Sequence, residues 1–556
     1  MKILFFARHF TYLRNFESAL RLLAEQGHQV HVAVERDEAF GGREMMDRLS
    51  NEYPGLTAGW SPERTDRWFF LATKLRLTID YLRFMEPAYD LTPRLRARAK
   101  ERVPQLLLRF LGLPLIRSTH GRRYLTRVLA SLEQAIPLDP SILKFIREHH
   151  PDAVLITPLV GVVASPQLDY LYASLHLGVP TALSVWSWDH LSSKALIRTI
   201  PDRVLVWNHT QEREAVELHG VPQERVVVTG AQCFDQWFNR KPSRTRTSFY
   251  EHVGLRDDRP FLLWVCSSLF RGSPVEAEFV IRWIRNLRSH SESMLRNVNV
   301  LVRPHPSRMQ EWESTDLSEL EGVTLWGGNP VDIESRADYF DSLYYSAAVV
   351  GLNTSAFLEG AVVGRPVYTV LLPEFHENQE GTIHFNYLLT VGNGLLHASR
   401  TLEAHTAQLA ECLRRREPTS VLSQDFVELF VRPQGLSVSS TQVFVEALES
   451  LSVLKPVPVA VPVTWSRRVS LTAFAWFANG IGRTVMMSRR ERDQSTRVQA
   501  VRELKRADRE IRLARKQEIR AAKAVRYAKR LKEKQRRSSS RRRHRWLGLY
   551  PWGSRH

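Results

Sequence analysis

The chain opens on a short, continuously apolar run, Ile3–Phe6, as expected of a strand buried on both faces. A loop carrying Arg8, His9 and Phe10 follows. Phe16, Ala19, Leu20, Leu22 and Leu23 then recur at helical spacing, Gly27 stands where a helix C′ residue belongs, and Val30–Val34 supplies a second strand. This βαβ pattern predicts a parallel sheet with its first loop at the carboxyl end of strand one. From about 41 to 150 the pattern changes to Arg, Leu and aromatic residues at helical periodicity, which predicts a helical insertion. Strand–helix alternation resumes at Ala153–Ile156, with further strands predicted at Ala182–Val185, Arg203–Val206 and Val226–Thr229.

Residues 232 to 260 are polar and basic, in keeping with a crossing between domains. A second alternating set follows: strands at Phe261–Val265, Val298–Val302, Val323–Trp326, Ala348–Gly351 and Val367–Val370, with helices near Glu276–Leu287 and Ser355–Val363. The predicted class is α/β, with two doubly wound, Rossmann-like halves at 1–240 and 241–454 and a ligand site between them at the carboxyl ends of the strands. A proline-punctuated linker at 455–468 and an amphipathic segment with a basic helical tail at 469–556 complete the chain.

Charge changes this picture only at the end. Of the 78 Lys/Arg and 59 Asp/Glu residues, 25 and 7 respectively lie between Arg489 and His556, so the tail holds +18 of a total of +19. The first 488 residues are nearly neutral, and the pI near 10 describes the tail alone. Cys233, Cys266 and Cys412 have neither disulfide nor metal-ligand spacing, which fits a reducing compartment. No secretory h-region and no spanning stretch of 18 uncharged apolar residues is read. The tail's basic clusters, beside Phe474, Trp476, Phe477, Trp546, Leu547, Leu549, Tyr550 and Trp552, suit an anionic membrane surface better than nucleic acid.

The candidate chemistry clusters at strand ends. Arg303 and His305, in Arg303-Pro304-His305-Pro306, present a guanidinium and an imidazole suited to phosphate or diphosphate, in a turn stiffened by proline. Asn353, Thr354 and Ser355 open the helix bearing Glu359, whose carboxylate could hold ribose hydroxyls; Ser267 and Ser268 form a third small polar turn. A proline-rich surface turn and simple helix capping are the competing readings. In the first half His9 or Asp189 could deprotonate an attacking hydroxyl, with Arg8 and Trp188 beside an acceptor. Asp338 and Asp341 are read as solvent-exposed helix residues, and no metal site is expected.

Arg303-Pro304-His305-Pro306, followed by a strand, a small-hydroxyl turn, Glu359 and Gly364-Arg365-Pro366-Val367, resembles the donor half of GT-B glycosyltransferases. It is most similar to CDP-glycerol glycerophosphotransferases and capsule-building sugar transferases, and Val206 to Phe238 resembles the end of an acceptor half. Leu352-Asn353-Thr354-Ser355 stands where the glycerophosphotransferases usually carry Asp-Tyr-Ser-Ser, which counts against a glycerol-phosphate donor. The resemblance implies a metal-independent bacterial glycosyltransferase of polysaccharide or cell-wall synthesis at the cytoplasmic membrane face. A nucleotide-activated sugar would be its co-substrate, with no further cofactor, and a glycan or lipid-linked molecule its acceptor. Donor binding falls to Ser268, Arg303, His305, Thr354, Ser355 and Glu359. A polyol-phosphate transferase, a nucleotide-sugar 2-epimerase and a nucleic-acid- or membrane-binding protein are the alternatives.

Overall fold

The computed structural model describes residues 1–36, 41–159, 161, 165–313, 315–317, 319–415, 421–454, 456, 469, 471–473 and 475. All belong to one compact unit, Met1–Met486. Two parallel sheets organise it. The first contains β1 (Lys2–Ala7), β2 (Gln29–Val34), β3 (Leu56–Trp60), β4 (Ala153–Thr157), β5 (Thr181–Ser184), β6 (Arg203–Val206) and β7 (Val226–Val228), in the order β3-β2-β1-β4-β5-β6-β7. The second contains β8 (Phe261–Val265), β9 (Asn299–Arg303), β10 (Val323–Leu325), β11 (Ala348–Val350), β12 (Val367–Val370) and β13 (Leu396–Ser399), in the order β10-β9-β8-β11-β12-β13. In each sheet the winding reverses beside the first strand, which pairs with β2 and β4 in one half and with β9 and β11 in the other. That is the Rossmann order, and its crevice opens between those neighbours at their carboxyl ends.

The central strands are apolar throughout because both faces are covered. In β1, Ile3 and Phe5 join one core and Leu4 and Phe6 another. In β8, Leu263 and Val265 pack on one side and Leu262 and Trp264 on the other. This two-residue alternation requires helices on both faces of each sheet.

The insertion starts later than the sequence pattern indicates. Helix Gly42–Glu52 and β3 lie inside the predicted 41–150 segment, yet they continue the first sheet. β3 is an edge strand exposed along most of its length, so it lacks the apolar run that marks its neighbours. The inserted helices proper begin at Phe69 and cover one face of the sheet through Leu77, Leu82, Leu95 and Leu111. A buried ion network anchors them. Asp169 accepts from Arg64 Nη1 at 2.7 Å and from Arg76 Nη1 at 2.7 Å, while Arg76 Nε donates to Glu133 at 2.8 Å. β13 also escaped the sequence pattern.

Helix Ser440–Glu449 follows the second half in sequence but packs on the first. Phe444, Val445 and Leu448 join the core of Ile3, Phe5, Phe16 and Leu20. Around this crossing Asp235 pairs with Arg432 at 2.6 Å, and the Ala231 N–H donates to the Val431 carbonyl at 2.8 Å. Glu17 and Arg336 form a further bridge between the halves at 2.6 Å. Leu471 and Ala475, from the segment read as interfacial, are buried against Trp68, Leu71, Leu75 and Ile136. Nearly all of the proline-rich linker and the whole basic tail, with the aromatic residues from Phe474 onward, lie outside the described residues. Among the described residues no helix is long and apolar enough to cross a membrane.

Phe444 tests this arrangement. Its truncation to Ala is expected to cost about 3–5 kcal/mol of first-half stability in denaturant unfolding, because it empties a packed site. A loss confined to the second half would contradict the crossing.

Candidate functional site

Strand polarity brings the loops after β1, β2 and β5 to one edge of the first sheet, and those after β8, β9 and β11 to the same edge of the second. In the second half, three of the small polar residues build the loops. Ser267 is fully buried; its N–H donates to Glu276 Oε2 at 2.7 Å, and its hydroxyl accepts from the Asn353 N–H at 3.0 Å. Asn353 in turn donates to the Asn378 carbonyl, and the Thr354 hydroxyl accepts from the Ala356 N–H at 3.4 Å. Burial pushes the Glu276 carboxyl up to about 8, so this pin of the turn is neutral at pH 7. Ser268 and Ser355 are exposed, and Ser355 makes no capping bond of its own at the start of helix Ala356–Val362. Those two hydroxyls face solvent; the others are structural.

Arg303 is committed elsewhere. Only 4% exposed, it donates through Nη1 to Asp338 Oδ2 at 2.8 Å and to Ser342 Oγ at 2.7 Å, and its guanidinium lies 5.1 Å from the Tyr339 ring centre. Gly327, at φ +81°, makes room: a Cβ there would fall 2.2 Å from Arg303 Nη2. A charge so enclosed and neutralised has little left for a diphosphate, contrary to the role expected of it. Asp338 and Asp341 are correspondingly buried rather than solvent-exposed; Asp341 accepts from the Ser243 N–H at 2.8 Å and from its hydroxyl at 2.6 Å.

His305 has a defined tautomer. Its Nδ1 accepts from the Ser307 N–H at 3.2 Å and lies 2.8 Å from the Ser307 hydroxyl, so the proton sits on Nε2. Burial, reinforced by Arg308 and Arg14, pushes the imidazole down to about 4. Near neutral pH it is an uncharged donor. Burial likewise raises the Glu359 carboxyl, while the hydrogen bond from the Tyr339 hydroxyl and the charge of Arg14 draw it back.

Arg14 went unnoticed in the sequence. It stands in the 3-10 helix Phe10–Asn15 after β1 and acts electrostatically on His9 in its own half and on His305 and Glu359 in the other. Its surface is open to water although protein surrounds it, as expected of a side chain inside a cleft. Among the described residues its guanidinium has neither a hydrogen bond nor an ion pair within contact distance. Only position marked it: an Arg in the loop after the first strand.

The first half corrects both expected bases. Asp189 is held well below the usual carboxylate range: burial pushes it up, but Lys194 at 2.8 Å and His384 outweigh that, and the Ser187 and Ser193 hydroxyls donate to it at 2.6 and 2.9 Å. It is a structural acceptor. Trp188 is 6% exposed and packs edge-on against His384, so it offers no face to a sugar. Trp186 instead is half-buried with its ring centre 4.6 Å from that of Tyr12, which is itself 4.5 Å from His9. Burial and the charges of Arg36, Arg8 and Arg14 lower His9 to about 4, well short of a base poised at neutrality. Burial depresses Arg8 as well, against the pull of Tyr12 and Glu35. The poised group is Glu35, just beyond β2. Burial raises its carboxyl to about 7 although Ser165 donates to it at 2.9 Å and Arg8 lies near. Its sequence signal was an acidic residue directly after a strand adjoining β1.

No family model and no curated protein matches the sequence. Solved structures of similar fold include a glycosyltransferase from Rickettsia africae (10% identity, 81% of this chain and 98% of that one, TM-score 0.46). A UDP-GlcNAc 2-epimerase from Neisseria meningitidis bound to UDP-GlcNAc shares 12% identity over 81% and 100%, with TM-score 0.45. WaaG, a glycosyltransferase involved in lipopolysaccharide biosynthesis, shares 12% over 81% and 100%, with TM-score 0.41. The fold itself is read from the order and polarity of the two sheets.

Both His9 and His305 have folded-state values below the ordinary 6.5. The unfolded chain therefore binds protons first on acidification, and the stability they contribute is full above pH 6.5 and lost as the pH falls towards 4. NMR titration should find His305 neutral down to about pH 4, with the proton on Nε2; a midpoint near 6.5 would refute the burial and the turn geometry together.

Proposed function

We propose that the cleft transfers a sugar from a nucleotide-sugar donor to a hydroxyl of a glycan or lipid-linked acceptor. The observation that carries this reading is Arg14: a guanidinium of the first half, without a partner among the described residues, set among His9, His305 and Glu359, at the crevices of two Rossmann-order sheets. A diphosphate needs charge and donors converging from both sides. Arg14 supplies the charge and His305 Nε2–H a neutral donor. The exposed hydroxyls of Ser268 and Ser355 supply further hydrogen bonds, and Glu359 is positioned for ribose hydroxyls.

In the proposed step the acceptor oxygen attacks the anomeric carbon while the bond from that carbon to the phosphate oxygen breaks. The nucleoside diphosphate leaves with the bonding pair, and Arg14 stabilises the charge that develops on it. The acceptor proton passes to Glu35, whose value near 7 keeps a useful fraction ionised at neutral pH. Arg303 supports the site indirectly, fixing Asp338 and Tyr339 behind Glu359. No cofactor beyond the nucleotide sugar enters this scheme. Peripheral attachment on the cytoplasmic side, through the cationic tail, belongs to the same proposal.

Calorimetry of the full chain against UDP-, GDP-, CDP- and dTDP-linked donors should find one that binds. Arg14→Ala should weaken it about tenfold or more, as expected on losing a charged hydrogen-bonding partner, and Arg14→Lys less so. Binding that Arg14→Ala leaves untouched, or no binding of any donor, would sink the reading. Product analysis without acceptor separates epimerisation from transfer, and a glycerol-phosphate product would place the chain with the polyol-phosphate enzymes.

Glu35→Gln should keep donor affinity and lower kcat about 10²–10⁴-fold. The wild-type rate should rise with pH through about 7, a limb the variant lacks.

A further inference from the structure

The inserted helices carry a surface that the folded unit leaves uncovered. Helix Gln105–Leu111 reads QLLLRFL and carries apolar residues on both its inner and its outer side. Leu107, Leu108 and Leu111 face the core of the first half, whereas Leu106 and Phe110 on the opposite side are each 46% exposed. The following turn exposes Leu113 at 49% and Leu115 at 86%. Helix Thr119–Gln134 repeats the arrangement, with Leu125 and Leu129 inward and Tyr124 and Val128 outward at 70% and 37%. Gly121 lets the turn press against this helix, since a Cβ there would fall 2.0 Å from the Leu115 carbonyl oxygen. A helical pair that is apolar on both its inner and outer faces needs a second apolar neighbour.

Charge identifies that neighbour. From Gln105 to Leu132 the sequence contains no Asp or Glu. Arg109, Arg117, Arg123 and Arg127 are exposed and, among the described residues, have no carboxylate partner. The next acid, Glu133, is buried and taken by Arg76. A second copy of this chain meeting the surface in a symmetric pair would set the same arginines against each other. An anionic lipid surface instead accepts the side chains into its acyl boundary and the arginines among its headgroups.

We propose that the helical pair 105–134 is a membrane-docking wedge for anionic lipid, separate from the cationic tail. The wedge needs nothing from the reading of the cleft, and vesicle binding is measured without any sugar donor. Its signature differs from that of a purely electrostatic tail, which salt releases, because burial of apolar side chains persists at high salt.

The test is co-sedimentation of the full chain with phosphatidylglycerol-containing vesicles, and with phosphatidylcholine alone, at low and at high salt. With the tail intact, Phe110→Ser/Leu113→Ser/Leu115→Ser should lower the partitioning that remains at high salt by about tenfold or more, given the hydrophobic contribution of each side chain. Arg109→Ser/Arg117→Ser/Arg123→Ser/Arg127→Ser should lower the preference for phosphatidylglycerol at low salt, the share that the cationic tail contributes remaining. All these side chains point outward, so an unchanged melting temperature is the control for folding. Three results would overturn the proposal: wild-type chain that ignores the vesicles, a triple variant that partitions like wild type, or a wild-type dimer that the triple variant converts to monomer.

Discussion

Both halves depend on one constraint: every strand in a sheet runs the same way, and the winding reverses beside the first strand. Parallel strands require helices as connections, and helices on both faces close off the sheet everywhere except along its strand ends. Where the winding reverses, adjacent loops diverge and leave a crevice. Because the same order occurs twice, the chain presents two crevices, and the helix that returns from the second half to pack beside Phe16 and Leu20 ties the halves together. The segments that carry Arg14, His305, Ser355 and Glu359 owe their position to this geometry rather than to any local preference.

Within that frame, charges divide by whether the fold has already paired them. Arg303 with Asp338 and Asp169 with Arg64 and Arg76 are buried and matched, and Asp189 with Lys194 is matched and half-buried. Removing one member of such a pair leaves its partner unsatisfied, so these groups hold structure in place. Arg14, Glu35 and His305 differ. Arg14 has no partner among the described residues, burial raises the Glu35 carboxyl to about 7, and His305 is kept neutral with one tautomer selected by a backbone N–H. In the proposed reading a charged ligand would meet groups such as these, whose charge or proton the fold has not already neutralised.

The inserted helices add a different kind of incompleteness. They complete one face of the first sheet and are anchored to it through Asp169 and Glu133, yet they turn a second apolar and basic face outward. Arg14, Glu35 and the outward wedge thus all belong to the first half.

Local periodicity encodes what a residue's neighbours in sequence impose, and at that level the chain was legible. Apolar runs marked the central strands of both sheets, and the loops that follow them contained Arg8, His9, Ser268, His305 and Ser355. Legibility failed at the edge strands β3 and β13, whose sequences carry no continuous apolar run. It failed again for electrostatic roles. Arg303 and Asp338 are 35 residues apart, and Arg14 meets Glu359 only across the two halves, so no spacing rule reports either relationship. The sequence by itself determined the order of elements and the loops where chemistry could sit. Tertiary packing alone decided which charges in those loops are already spent on one another and which stay open to a ligand, since desolvation and pairing depend on neighbours that only the fold brings together.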